Sequence, residues 1–264
     1  MTFEQGDKRQ IPEKKTLPEV TLKLIGLSDF AQTLDWMLDM DFALKWIWEF
    51  YPEVARIPQS LSKSDRQLYL EKTLRPYYET NITTIKSRLP KYQKAFNKIN
   101  NEFMWALSRY FELDWPADCQ KITGDISPLL PSNPRDIRSR SFVYSASVFD
   151  EMSFVKVAAH EICHFIFFEK WKTLTSNWTW RSFDYPYIIW YLSELAIDPV
   201  LNSQLIQSVI PFRFQANPDM RELEINGSLA LEIIRQNFNN EPIDIAMQKS
   251  YEYLKQNRKQ LEAF

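Results

Sequence analysis

Residues 151–171 read EMSFVKVAAHEICHFIFFEKW, and this stretch decides the fold. From Val157 to Phe168 the only polar side chains are His160, Glu161 and His164. A helix apolar on nearly every side must be buried among other elements. Asp150 or Ser153 stands where such a helix would be capped, and Asp150 and Glu151 suit its N-terminus. Ser141 to Phe149, rich in Val, Phe, Tyr and Ser, reads as a strand leading into it.

His, Glu and His inside a buried helix cost several kcal/mol of desolvation unless each finds a partner. Their order supplies one. His160-Glu161-Ile162-Cys163-His164 is an H-E-x-x-H motif. Residues four apart share a helix face, with Cβ atoms roughly 5–6 Å apart, so both imidazoles can reach one tetrahedral zinc ion. Glu161 is offset by about 100° around the axis, which places its carboxylate to serve as a general base towards an attacking water. His160 and His164 are also the only two histidines in the chain. The competing reading is a pair of buried histidines satisfied by carbonyls, with Glu161 in a salt bridge.

With no histidine left, a third ligand must be a carboxylate. Glu194 is the choice, in the apolar run Leu192-Ser193-Glu194-Leu195-Ala196-Ile197-Asp198. Asp198 lies four residues on and can orient a ligating histidine by accepting its second ring N–H. Pro199 follows directly, so Asp198 is alternatively a helix cap. Glu222, Glu224 and Asp184 are the competing acids.

This pattern resembles the gluzincin group of zinc metallopeptidases, in which an H-E-x-x-H helix is followed by a second helix with E-x-x-x-D. The likeness covers about residues 141–200. It implies that His160, His164 and Glu194 bind Zn2+, that Glu161 is the catalytic base and acid, and that Asp198 supports the ligands. With no spare histidine, a tyrosine or an arginine must be the oxyanion donor; members of the group that use tyrosine place it well downstream of the third ligand, which favours Tyr251 or Tyr253 over Tyr185 and Tyr187. Ser141 to Phe149 would be an edge strand pairing with an extended substrate; an ordinary strand is the other reading. The spacing from His164 to Glu194 is longer than is familiar in the group. The expected activity is hydrolysis of a peptide or protein. The rival is a non-catalytic zincin-fold protein that binds a partner or regulates.

The rest of the chain sets bounds. Its 264 residues carry a net charge of -2, which argues against a polyanionic partner such as nucleic acid. Four glycines argue against a Gly-rich nucleotide-binding fold, and two cysteines are too few for a disulfide framework. No apolar run approaches the ~18–20 residues of a membrane span, and the N-terminus is polar and charged, so a cytoplasmic protein is expected. Residues 1–18 read as a flexible tail and 19–115 as a helical region. In it a helix starts at Ser28-Asp29 and carries Phe30, Leu34, Met37, Leu44 and Trp48. Another begins near Ser64 with Leu68, Leu70 and Leu74. A third follows Pro90, with the stripe Tyr92, Phe96, Ile99, Phe103, Leu107 and Tyr110. Residues 116–264 form the metal-binding region, with a strand at Lys121 to Ile126, a helix start at Asp184 and Pro186, and two final helices parted by Asn239-Asn240 and Pro242. Arg88, Lys91, Lys94 and Lys98 make a solvated face. The expected fold is mainly α with a small sheet (α+β), a zincin-like core with an added helical region, both packed as one unit.

Overall fold

Burial of the stretch around His160 dictates the architecture. The computed structural model describes residues 17–38, 44, 47, 49–58, 60–128, 136–146 and 150–262. The tail expected before residue 17 and Trp48 lie outside them. The chain is mainly helical with a small sheet. Among the described residues the helices of more than eight residues are α1 (Leu27–Met37), α2 (Lys63–Asn97), α3 (Asn100–Tyr110), α4 (Glu151–Leu174), α5 (Ile188–Leu201), α6 (Ala230–Asn240) and α7 (Ile243–Gln256).

α4 is the central element. Asp150 caps it, its carboxylate accepting from Ser153 N at 2.7 Å. Glu151 in the first turn and Lys172 in the last complement the helix dipole. Every residue from Glu161 to Phe168 is buried, so the helix is enclosed all round, by α2, α3, α5, α7 and the sheet. α5 is nearly as enclosed, packing on α4, α6 and α7.

The sheet has three parallel strands in the order β1 (Glu19–Leu24), β2 (Lys121–Ser127), β3 (Ser141–Ser145). Parallel strands need long crossovers; α1 to α3 lie in the first. Val20, Leu22, Ile122, Ile126, Phe142 and Tyr144 turn one face into the main core, while Thr21, Lys23, Lys121, Thr123 and Asp125 leave the other face polar and at least partly open. Gly124 sits mid-sheet because a Cβ there would lie 2.5 Å from Leu22 Cδ2 and 3.0 Å from Phe142 Cζ. β1 belongs to the N-terminal region and β2 to the C-terminal one. The two regions therefore share one sheet, and their side chains share one core cluster. A second cluster, around Phe30, Leu34, Leu70 and Leu74, fills the space under α1 and α2.

Several expectations are corrected. β1 falls where only helix was anticipated. Its EVTLKL alternates buried and more exposed side chains over six residues, a short period-2 signal beside a polar tail. α2 runs through Pro76 and Pro90, and the break falls at Lys98-Ile99. Proline forfeits one backbone bond, and burial of Ile85, Tyr92 and Phe96 on one continuous face outweighs it here. The predicted aromatic stripe is therefore split over α2 and α3, with every member buried or half-buried. Leu68 is 65% exposed, outside the core. Asp184 starts no helix: it accepts from Tyr187 N in a turn, and α5 begins at Ile188. β3 is an edge strand by order, yet Phe142 to Ser145 are buried, which favours the ordinary strand over one open to an extended substrate. Residues 147–149 lie outside the described residues.

Candidate metal centre

The helical spacing brings the two histidines together. His160 Nε2 and His164 Nε2 are 3.0 Å apart. α5 crosses α4 and delivers Glu194 to the same point, with Oε1 3.3 Å from His164 Nε2 and Oε2 3.5 Å from His160 Nε2. Two donors held about 2.0–2.1 Å from one tetrahedral ion are themselves about 3.3 Å apart. The separations of 3.0, 3.3 and 3.5 Å are close to that spacing, the two Glu194 contacts being made by different oxygens of its carboxylate.

Glu161 stands differently. Donor atoms of His160, Glu161 and His164 all lie within 4.8 Å of one another, a grouping that could also hold a metal. Glu161 Oε1, however, is 3.9 Å from His160 Nε2, farther than either contact of Glu194. Glu194 also touches both histidines at ligand spacing. Glu194 therefore lies closer to His160 than Glu161 does and also reaches His164, and is the better placed of the two acids to share an ion with them. Two imidazole nitrogens and a carboxylate form a donor set suited to Zn2+ with one position left over, so the residues present fit such an ion.

The surroundings are aromatic. Phe168 stacks on His164, ring centroids 6.0 Å apart at 16°, and Phe183 stacks on Phe168 in turn. Phe214 lies over His160 at 5.5 Å and 33°. The His164 side chain is fully buried, Glu194 is 11% exposed and His160 19% exposed. The centre therefore opens on the His160 side.

The remaining predicted residues are placed elsewhere. Asp198 is 2% exposed, and neither oxygen goes to a histidine. Oδ1 accepts from Arg235 Nε at 2.7 Å and Oδ2 from Ala216 N at 3.3 Å. It shares a helix face with Glu194, but that face passes from α4 to α6 along its length, and Arg235 on α6 claims the carboxylate. The hydrogen bond it donates to Asp198 is the main cause holding the Arg235 guanidinium above its ordinary range. Nor is Asp198 a cap, since it lies inside α5 with Pro199. Tyr251 rests on Trp171 at 4.7 Å, and Trp171 is seven residues past His164, about 10 Å along the helix. Tyr253 sits on the same α7, half-buried, its phenol pushed up by burial. Tyr251 is thus packed away from the histidines, and no contact described for Tyr253 brings it to them. Cys163 is buried in the core, and burial pushes its thiol far up. Lys91, Lys94 and Lys98 are exposed, as expected, whereas Arg88 is half-buried and donates to Ala146 O at 3.0 Å.

Phe168, Phe214, Arg235 and Asn202 escaped the sequence reading. Phe168 alone had a signal, standing four residues after His164. A separate cleft of about 700 Å3, lined by Lys23, Asp125, Ser141, Trp36 and Trp180 among others, opens on the polar face of the sheet. None of the metal group lines it. No protein-family model, curated protein or solved structure matches the chain. No described helix is long and apolar enough to cross a membrane.

Proposed function

We propose that the protein is a zinc-dependent metallohydrolase that cleaves peptide bonds, with a zincin-like core. The observation that carries this is the triangle of side chains in which His160 Nε2 and His164 Nε2 are 3.0 Å apart, one Glu194 oxygen is 3.3 Å from His164 Nε2 and the other is 3.5 Å from His160 Nε2. These three residues would hold the ion, and zinc bound there supplies Lewis acidity towards a substrate carbonyl. Glu161, just outside the triangle and 7% exposed, takes the proton of the attacking water and returns it to the leaving amine. The buried phenyl rings of Phe168 and Phe183 exclude bulk water, which strengthens each charge interaction at the centre. A peptide as substrate follows from the likeness of H-E-x-x-H and the later Glu to gluzincins.

A second reading, a non-catalytic zincin-fold binding or regulatory protein, draws on Tyr251 lying against Trp171 instead of at the histidines. Glu161 weighs against it, since a purely structural site has no use for a carboxylate beside its ligands.

The test is metal content. Protein prepared without added zinc or chelator should carry about one zinc per chain, and His160→Ala and His164→Ala should each lose it. Full zinc in either variant overturns the assignment.

A further inference from the structure

The helix that delivers Glu194 also fastens a strap across the mouth of the centre. Asn202, the residue after α5, grips Phe214 by both backbone groups. Its Oδ1 accepts from Phe214 N at 3.0 Å and its Nδ2 donates to Phe214 O at 3.0 Å. Two residues on, Ala216 N donates to Asp198. Two residues back, Phe212 O accepts from Gln207 Nε2 at 2.9 Å, and Lys156, one turn before His160, lies 5.7 Å over the Phe212 ring. Exposure alternates along the strap: Arg213 and Gln215 face solvent, while Phe212 and Phe214 are half-buried and Ala216 buried. The inward set includes the ring over His160, the most exposed of the three ligand side chains.

We propose that Phe214 is the gate residue of the metal centre, with Asn202 its positioning residue. This rests on reading His160, His164 and Glu194 as metal ligands. His164 is sealed by Phe168, so traffic to the centre passes His160 and the ring beside it. A side-chain amide bound to both N–H and C=O of one residue leaves that backbone little freedom. The Phe214 ring and Glu194 are thereby held to one helix, and the gate opens only when the Asn202 pair breaks. A gate slows arrival and departure alike. Its removal therefore changes the rate of metal exchange more than the affinity.

The test uses the full chain loaded with cobalt(II) and challenged with excess EDTA. Phe214→Ala should release cobalt about tenfold faster, because the ring over His160 is removed while the Asn202 bonds to the backbone of residue 214 remain. Its equilibrium affinity should change by less. Asn202→Ala should move the rate the same way, Phe214→Trp should restore it, and the double variant Asn202→Ala/Phe214→Ala should be no faster than Phe214→Ala, because Asn202 acts through the ring. Wild-type release from Phe214→Ala overturns the proposal, as does a double variant in which the two effects multiply. If Phe214→Ala does not fold, Asn202→Ala decides: unchanged release overturns the gate. Failure of the wild-type chain to bind cobalt or zinc overturns the ligand assignment and this proposal with it. Normal loading with ungated release overturns this proposal alone.

Discussion

Asp198→Asn separates stability from metal binding at one atom. The carboxylate is 2% exposed and accepts two hydrogen bonds, from Arg235 Nε at 2.7 Å and from Ala216 N at 3.3 Å. Asparagine has one acceptor oxygen, so either orientation of its amide loses one bond and turns an NH2 towards a donor. A hydrogen bond to a charged group contributes about 1.5–3 kcal/mol. Arg235 is 35% exposed and keeps Glu232, so the lower part of that range applies, about 2 kcal/mol. In a chain of this size that lowers Tm by about 4–8 °C. The shift is read by thermal denaturation of metal-stripped protein. Zinc affinity is read separately, by competition with a chromophoric chelator well below the transition. Because neither Asp198 oxygen reaches a histidine, affinity should fall by less than the roughly 10–100-fold that follows loss of a histidine-orienting partner. Glu194→Gln, which alters a ligand oxygen, should weaken binding more. A 10–100-fold loss of zinc from Asp198→Asn with Tm unchanged would refute the reasoning and return Asp198 to the histidines.

Glu161→Gln should leave zinc content and Tm unaltered and abolish hydrolysis of any peptide substrate found, because it removes the base and no ligand; turnover at the wild-type rate would exclude Glu161 as base. Asp125→Asn should stabilise the chain at pH 7. Burial raises the Asp125 pKa more than Lys23 lowers it, so the folded state holds this proton more tightly than the unfolded state, and the ionised carboxylate is a cost that disappears as pH falls through its raised range. The advantage of the variant, followed by urea unfolding from pH 7 to 3, should shrink with acid, and a variant less stable than wild type at pH 7 contradicts it. Gly124→Ala should cost about 1–3 kcal/mol, since Leu22 and Phe142 must give way to the new methyl; an unchanged denaturation midpoint would mean that the mid-sheet contact is soft.

What the sequence disclosed followed from periodicity within single elements. The buried helix that brings His160 and His164 together was legible because an apolar run with His, Glu and His at helical spacing must be enclosed, with those side chains sharing one face. Glu194 was legible because an acid inside an equally apolar run needs a partner of its own. Both inferences concern one helix at a time, and the structure brings the two helices together at 3.3–3.5 Å. The strand β1 was hidden because six alternating residues beside a polar tail are a weak pattern, and because its partner β2 lies about a hundred residues later. The break at Lys98-Ile99 was misplaced to Pro90 because a single missing backbone bond is a local cost, whereas the face that offsets it is tertiary.

Asp198 shows where such reasoning stops. The four-residue spacing from Glu194 correctly fixed its face of α5, but a face is not a partner. One turn of helix carries the side chain roughly 6 Å further along, far enough to pass from the histidines of α4 to Arg235 of α6. The same displacement puts its second oxygen within reach of Ala216 N, at the end of the strap that carries Phe214. So the acid expected to orient a histidine by hydrogen bonding is tied instead to the strap whose aromatic ring lies over His160. The connection runs through backbone of an irregular loop, where no residue period encodes the contact. It becomes visible only when the bonds from Asn202 and Asp198 are traced to the segment they hold.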